Sequence, residues 1–213
     1  MLIVHHLGLS QSDRIVWLCE ELGLPYELRR YDRDPHTKAA PPEYKELHPF
    51  GTAPVIQDGD LTLAESGAII EYLCRVHADG RLLLGPDHPE YANFLFWFHF
   101  ANGSVLPAVM MEMAAVWLGV EPDAAKAHPA GSRTDKSFAM AEQRLGETAF
   151  FAGDELSAAD IMMLFTLTTM RRFAPRDMAP YPNIRAYLKR VGTRPAYRSA
   201  MEKADPGVPL LVD

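Results

Sequence analysis

The stretch Gly51-Thr52-Ala53-Pro54-Val55-Ile56-Gln57-Asp58-Gly59-Asp60-Leu61-Thr62-Leu63-Ala64-Glu65-Ser66-Gly67-Ala68 decides how the chain reads. A short apolar run from Val55 reaches Asp58-Gly59, a second covers 61–63, and Glu65-Ser66 opens a new segment. Two short runs joined through Asp-Gly predict a β-hairpin, because those residues tolerate the positive φ of a tight turn. Ile69, Tyr72, Leu73 and Val76 follow at i, i+3, i+4 and i+7, which predicts a helix with those four on its buried face. Pro54 stands at the start of the first run, where no ladder N–H is needed. A helix N-terminus presents unpaired N–H groups and partial positive charge, a seat for a carboxylate. Ser66 adds a hydroxyl to that seat, and Glu65 can hold an ammonium. The pair suits the zwitterionic end of an amino acid or peptide. The alternative is an ordinary capped corner between hairpin and helix.

Upstream, residues 2–6 are short and apolar, as a buried first strand is. Gly8 and Ser10 mark a loop over 7–11, and Ser12 or Asp13 can cap a helix whose face is Ile15, Leu18, Cys19 and Leu22. Gly23 ends that helix and Pro25 prevents its resumption. Residues 26–31 read as a second strand, 32–42 as a Pro-rich polar loop, and 43–47 as a short helix stopped by Pro49 and Gly51. The order is β-α-β-α-β-β-α, with a first crossover that suits a right-handed βαβ unit.

Downstream, Gly80, Gly85, Pro86 and Pro89 make a linker, after which everything reads helical. Phe94, Trp97, Phe98 and Ala101 form one face, while Phe96 and Phe100 lie off it, so the helix is expected to be covered on several sides. A loop is expected around residues 120–132, then a weaker helix to about 149. Ser157-x-x-Asp160 before Ile161, Leu164 and Phe165 predicts a capping box. Further helices are expected over 182–192 and 195–204. The fold class is α/β plus all-α, with a thioredoxin-like domain over 1–78 and an all-helical domain over 89–213.

At 213 residues the chain is long enough for two modest domains. A net charge of −7 argues against nucleic acid, which needs a basic stripe. No uninterrupted apolar run reaches the length of a membrane span, and no secretory signal pattern opens the chain. Cys19 and Cys74 fall at apolar-face positions and read as buried free thiols, so a cytoplasmic location is expected. No cluster has metal-ligand spacing, His5-His6 included, so no metal is expected.

Thr52-Ala-Pro-Val-Ile56, the Asp-Gly turn and Leu63-Ala-Glu-Ser-Gly-Ala-Ile-Ile70 together resemble the thioredoxin-fold half of cytosolic glutathione transferases. The resemblance covers most of the chain. It implies that Pro54 is cis, that Ala53 pairs with the cysteinyl backbone of glutathione, and that Glu65 and Ser66 hold its γ-glutamyl end. Glutathione is then a co-substrate and no other cofactor is implied. The enzyme would conjugate it to small apolar electrophiles or reduce hydroperoxides, as a homodimer. A non-catalytic glutathione-binding module on the same fold is the rival, and a dehalogenase or isomerase would differ only in its second-substrate pocket.

Such an enzyme must offer a thiolate. A thiol with a pKa of about 8.5 is only roughly 3% ionised at pH 7. A hydrogen bond donated to the sulfur favours the anion. Ser10-x-x-x-Arg14, in the loop after the first strand, resembles the arrangement that carries the catalytic hydroxyl in serine-type transferases, theta-like forms among them. Ser10 is therefore the first candidate and Ser12 the second. That loop contains no cysteine and no tyrosine, which disfavours the thiol-exchange and tyrosine-type classes. His48, where many classes carry asparagine, is a candidate for the glycyl end. Phe96, His99, Phe100, Met110, Met113 and Phe173 are candidate walls for the second substrate, with Phe100, Met110 and Phe173 preferred.

Overall fold

The computed structural model describes residues 1–120 and 132–213. The loop expected around 120–132 lies, apart from its two end residues, outside them. In chain order the elements are β1 (Leu2–Leu7), α1 (Asp13–Leu22), β2 (Glu27–Tyr31), α2 (Pro42–Lys45), β3 (Val55–Asp58), β4 (Leu61–Ala64) and α3 (Ser66–His77). Then come α4 (Tyr91–Phe100), a π turn (Ala101–Val105), α5 (Leu106–Trp117), α6 (Ser132–Glu147), α7 (Ala158–Leu167), a 3-10 turn (Thr169–Arg172), α8 (Pro182–Gly192) and α9 (Pro195–Ala204).

The strands form one sheet in the order β2-β1-β3-β4, with β1 parallel to β2 and antiparallel to β3. This is a thioredoxin-like sheet. The hairpin is present, but its two-residue loop is Gly59-Asp60, because Asp58 still pairs with Leu61 as a strand residue. Gly59 has φ +58° and Asp60 is not in the left-handed region. That places a glycine at the one central position where a II′ turn needs it. Gly23 at φ +66° likewise closes α1, its N–H and that of Leu24 returning to Glu20 and Cys19 carbonyls.

The buried side of α3 is Ile69, Ile70, Leu73 and Cys74. The expected face is turned by part of a residue step: Val76 is 58% exposed, and Tyr72 reaches the rim to donate its hydroxyl to Asp58. A four-residue pattern leaves the helix phase uncertain by that much when two isoleucines stand side by side.

The chain divides into two compact units, Met1–Leu83 with Gly192–Leu210, and Leu84–Val191 with Leu211–Asp213. The sequence reading assigns all of 89–213 to the helical half, whereas α9 packs along α1 in the first unit. The seam has specific chemistry. Arg194 forks onto Glu21 at 2.6 and 2.7 Å, Lys203 and Ser199 both reach Glu20, and Trp17 meets Tyr197 edge to face. Bidentate guanidinium–carboxylate pairs are among the stronger and more directional polar contacts.

In the second unit, Tyr91–Trp117 is a continuous helix. Phe94, Trp97, Phe98 and Ala101 are buried on it as expected. Its π turn lies where Pro107 would otherwise meet the carbonyl four residues back; widening by one residue relieves that clash. The most apolar window has a mean hydropathy of 1.3, enough by length and composition to cross a membrane, and 44% of it is buried inside the protein. Counting uninterrupted apolar residues misses this, because uncharged polar residues break the run without lowering the average far.

Every residue of α7 is buried. Its start is the expected capping box. Asp160 accepts from the Ser157 N–H and hydroxyl and from the Phe151 N–H, while Ser157 Oγ accepts from Ala159 N–H. Burial pushes the Asp160 carboxyl up to about 6, against those donors. Asp160→Ala is expected to destabilise the fold by roughly 3 kcal/mol, since three buried donors lose their acceptor. Thermal unfolding checks this: an unchanged midpoint would show that the box is dispensable.

Candidate functional site

Strand register brings the candidate loops together. His5 stands opposite Val55, and Val55 opposite Ala64. The C-terminal end of β1, the residues entering β3 and the exit of β4 therefore share one end of the sheet. The 8–12 loop, Ala53-Pro54 and Glu65-Ser66 all lie there. Beneath them Leu7, Tyr44 and Val55 form a buried apolar floor with Tyr31, Leu47 and Ala53 packed against it.

Alternation along β1 sends His5 and His6 to opposite faces. His5 pairs with Tyr31 and Gln57, and burial lowers its pKa. His6 faces the helix side, where its Nδ1 lies 2.9 Å from Ser12 Oγ and its Nε2 3.3 Å from Asp205 Oδ2. Ser12 does not cap α1 with its side chain. Its hydroxyl points back along the chain instead, accepting from the Leu7 N–H at 3.1 Å and lying 2.7 Å from Ser10 Oγ. Ser10 donates to the Leu7 carbonyl at 2.6 Å. Ser10 keeps 5% of its surface and Ser12 none, so of the two Ser10 is nearer the open side.

The loop is held from outside its own sequence. The Leu9 N–H donates to Asp205, just past α9, and the Gly8 carbonyl accepts from Arg33. Leu9 adopts φ +49°, a conformation that costs an L-residue about 1 kcal/mol or more and persists where surroundings enforce it. Burial raises the Asp205 carboxyl, but contacts with His6, the Leu9 N–H and Arg30 outweigh it and hold the group below its usual range. Sequence reading missed Asp205, His6 and Arg33. No local pattern marks residues that meet only through the fold.

Arg14 is fully buried under the site. It donates to Gln11 Oε1 at 2.6 Å and to Ser66 Oγ at 3.2 Å. Burial pulls the guanidinium down to about 10, while the charges of Asp13 and Glu65 oppose that fall. Ser66 is 1% exposed and its hydroxyl is engaged by Arg14 and Gln11, not open at the helix end as the sequence suggested. Glu65 is exposed, at φ +74°, with no side-chain cap on the first turn of α3.

The Ala53–Pro54 peptide is cis. Among the described residues, the N–H and C=O of Ala53 make no hydrogen bond. His48 turns its Nδ1 onto the Phe50 N–H, which gives that ring nitrogen a local task in the 48–51 turn.

Within the second unit, Phe173 lines a cavity of about 130 Å³ with Val109, Met113, Phe138, Thr166 and Arg176. Thr166 Oγ1 is buried there, with no hydrogen-bond partner among the described residues. Phe100 and Met110 are not among its walls. Phe100 stacks on Phe96 at 4.8 Å, and Met110 is 48% exposed.

Comparison with known proteins covers both halves. Residues 10–76 match the glutathione S-transferase N-terminal domain model and residues 96–195 the C-terminal domain model. Glutathione S-transferase 3 of Schizosaccharomyces pombe is 31% identical over 96% of this chain and 88% of its own length. A crystal structure of a glutathione S-transferase from Actinobacillus pleuropneumoniae superposes with a TM-score of 0.87 at 35% identity, covering 96% of this chain and 93% of that one. A theta class glutathione S-transferase from Xanthomonas axonopodis pv. citri, with glutathione bound, shares the fold with a TM-score of 0.72 at 24% identity, over 93% and 96% of the two chains.

Arg14→Met keeps much of the side-chain volume and removes the charge. Two oxygens under the site then lose a charged donor, and a loss of roughly 2 kcal/mol is expected. Urea denaturation reads this as a lower midpoint; a variant more stable than wild type would mean that the buried charge is itself the larger burden.

Proposed function

The chain belongs to the glutathione S-transferase family and is a glutathione-conjugating enzyme, and from that premise we propose that Ser10 donates the hydrogen bond that stabilises the glutathione thiolate. The carrying observation is the placement of Ser10, whose hydroxyl is backed by Ser12 and stands on the more open side of a loop held in a left-handed turn. This is a serine-type, theta-like arrangement. Ser12 is too enclosed to reach a ligand directly, so it serves as support.

The peptide is held by the groups around that loop. Ala53 offers an unpaired backbone N–H and C=O to the cysteinyl residue of glutathione. Glu65 meets the α-ammonium, and the uncapped first turn of α3 at Ser66 meets the carboxylate. Pro54 fixes the direction of the Ala53 groups. His48 meets the glycyl end through its other ring nitrogen, since Nδ1 is taken by the Phe50 N–H.

The second substrate is a small apolar electrophile, drawn to walls such as Phe173 and Met113. With an activated aryl halide, the sulfur attacks the substituted carbon, a C–S bond forms, and the C–halogen bond breaks with departure of halide. The thiol proton passes to solvent as glutathione ionises. Phe100 and Met110 have a different task. Met110 with Leu95, Phe96, Met111 and Trp117, and the half-buried Phe100 near them, leave an apolar side of Tyr91–Trp117 exposed, which suits burial against a second copy of the chain. Cys19 and Cys74 are buried thiols, Cys74 pushed up to about 12 by burial, which fits a reducing cytoplasm.

Bound glutathione is expected to ionise at least one pH unit below free glutathione, read by ultraviolet thiolate absorbance between pH 5 and 9. In Ser10→Ala that shift is lost and kcat/KM with an activated aryl halide falls about 100-fold. A shift that survives Ser10→Ala would move the role to Ser12 or a backbone N–H. Binding without any shift in wild type would favour a non-catalytic module. Sedimentation is expected to give twice the 23.8 kDa chain mass; a monomer at micromolar concentration would remove the dimer.

A further inference from the structure

Two guanidinium groups border the cavity that Phe173 lines, and they are paired very differently. Arg176 places one Nη 2.7 Å from Asp135 and the other 3.0 Å from Glu112, and it lies over the Phe138 ring. Burial alone would pull this guanidinium down, but the carboxylates outweigh it and hold the group above its usual range. Arg171 has weaker company. Its Nη1 makes two long bonds, 3.5 Å to the Leu167 carbonyl and 3.4 Å to the Asp213 carbonyl. Its Nη2 stands 4.0 Å from the carboxylate of Asp213, a side chain that is 80% exposed. Its Nε is buried, with no hydrogen-bond partner among the described residues. Burial lowers this guanidinium, with the charge of Asp213 opposing the fall.

The edge of Arg171 that makes no hydrogen bond among the described residues is thus Nε–Nη2, whose parallel N–H bonds match the two oxygens of a carboxylate. Thr166 adds a second donor. Thr168, at the end of the same helix, donates its hydroxyl to the Leu164 carbonyl four residues back, a usual outlet for a helical threonine. Thr166 is equally buried and makes no such bond. Each buried donor without an acceptor costs stability that an incoming acceptor would return. Much of the lining is apolar, with Val109, Met113, Phe138 and Phe173 in it. Its volume of about 130 Å³ is close to the roughly 150 Å³ of an apolar cavity that admits benzene, so it has room for one aromatic ring. Glu112, the carboxylate in the lining, is already paired with Arg176.

We propose that this cavity is a subsite for an aromatic carboxylate, with the ring among Phe138, Phe173 and Met113 and the carboxylate on the Nε–Nη2 edge of Arg171 in place of Asp213. The inference rests on the reading of this cavity as a seat for the second substrate. It narrows that substrate to aromatic electrophiles that carry a carboxylate. Asp213 yields its place at little cost, because a long ion pair with a mostly hydrated carboxylate contributes little.

The probes are benzoate, acetate and two aryl chlorides activated by a nitro group, one with a carboxylate para to the chlorine and one with the neutral amide there. Calorimetry is expected to show benzoate binding wild type at least about tenfold more tightly than acetate, which has the charge without the ring. With saturating glutathione, the KM of the carboxylate chloride is expected to lie about tenfold below that of the amide. Arg171→Met removes this preference and weakens benzoate to the level of acetate. Arg171→Lys keeps the charge without the fork and is expected to fall between the two. It carries the test if the methionine variant does not fold. Equal binding of benzoate and acetate, or equal KM values for the two chlorides in wild type, would overturn the inference. So would a preference that survives in Arg171→Met or stays at its wild-type value in Arg171→Lys. A wild type that conjugates neither chloride, yet binds benzoate through Arg171, would support the subsite and overturn the second-substrate reading instead.

Discussion

A guanidinium with no access to water is the constraint around which the first unit is arranged. Arg14 stands in the first turn of α1, and removing its charge from solvent is costly unless other groups replace the lost hydration. Gln11 and Ser66 supply oxygens directly, and Asp13 and Glu65 supply charge. One buried cation thus ties the end of the 8–12 loop to the start of α3. Neither can shift without leaving polar atoms unpaired in a low-dielectric interior. The positive φ of Glu65 belongs to the same arrangement, since it turns the chain from β4 into a helix whose first residue must meet Arg14.

The opposite side of the loop depends on the far end of the chain. Helix α9 is fastened to α1 through Glu20 and Glu21, and this brings Asp205 to the Leu9 N–H and to the His6 ring. Arg30 completes the attachment by donating to the Ala204 carbonyl. A left-handed leucine is tolerated because its N–H and its neighbour's carbonyl are both taken by charged side chains. The loop that presents Ser10 is therefore a composite of residues about 200 positions apart in the chain.

The hairpin, the helix after it, the βαβ start and the capping box at Ser157 were all legible, because each depends on periodicity or turn chemistry within some ten residues. Ser10, Ser12, Glu65 and Ser66 were legible as candidates through their motif. What each does was less so. Ser12 looks like a helix cap in sequence, yet its hydroxyl reaches back to Leu7, His6 and Ser10. Ser66 looks open, yet it is covered by Gln11 and Arg14. The face of α3 was displaced because Ile69 and Ile70 are adjacent and either can centre an apolar stripe. Met110 lies outside the Phe173 cavity that Met113 lines, a difference three residues apart on one helix that composition alone does not show.

Local sequence determined the element order, the sheet-forming runs, the turn glycines and the candidates proposed for the site. These follow from backbone sterics and the spacing of apolar residues, which act over short stretches. Only the tertiary structure decided that the last helix joins the first unit, that Asp205 and Arg33 brace the Ser10 loop, and that His6 rather than His5 meets the serines. Those outcomes hang on burial and on the pairing of charges distant in sequence. Such free energies exist only once the chain has excluded water from around them.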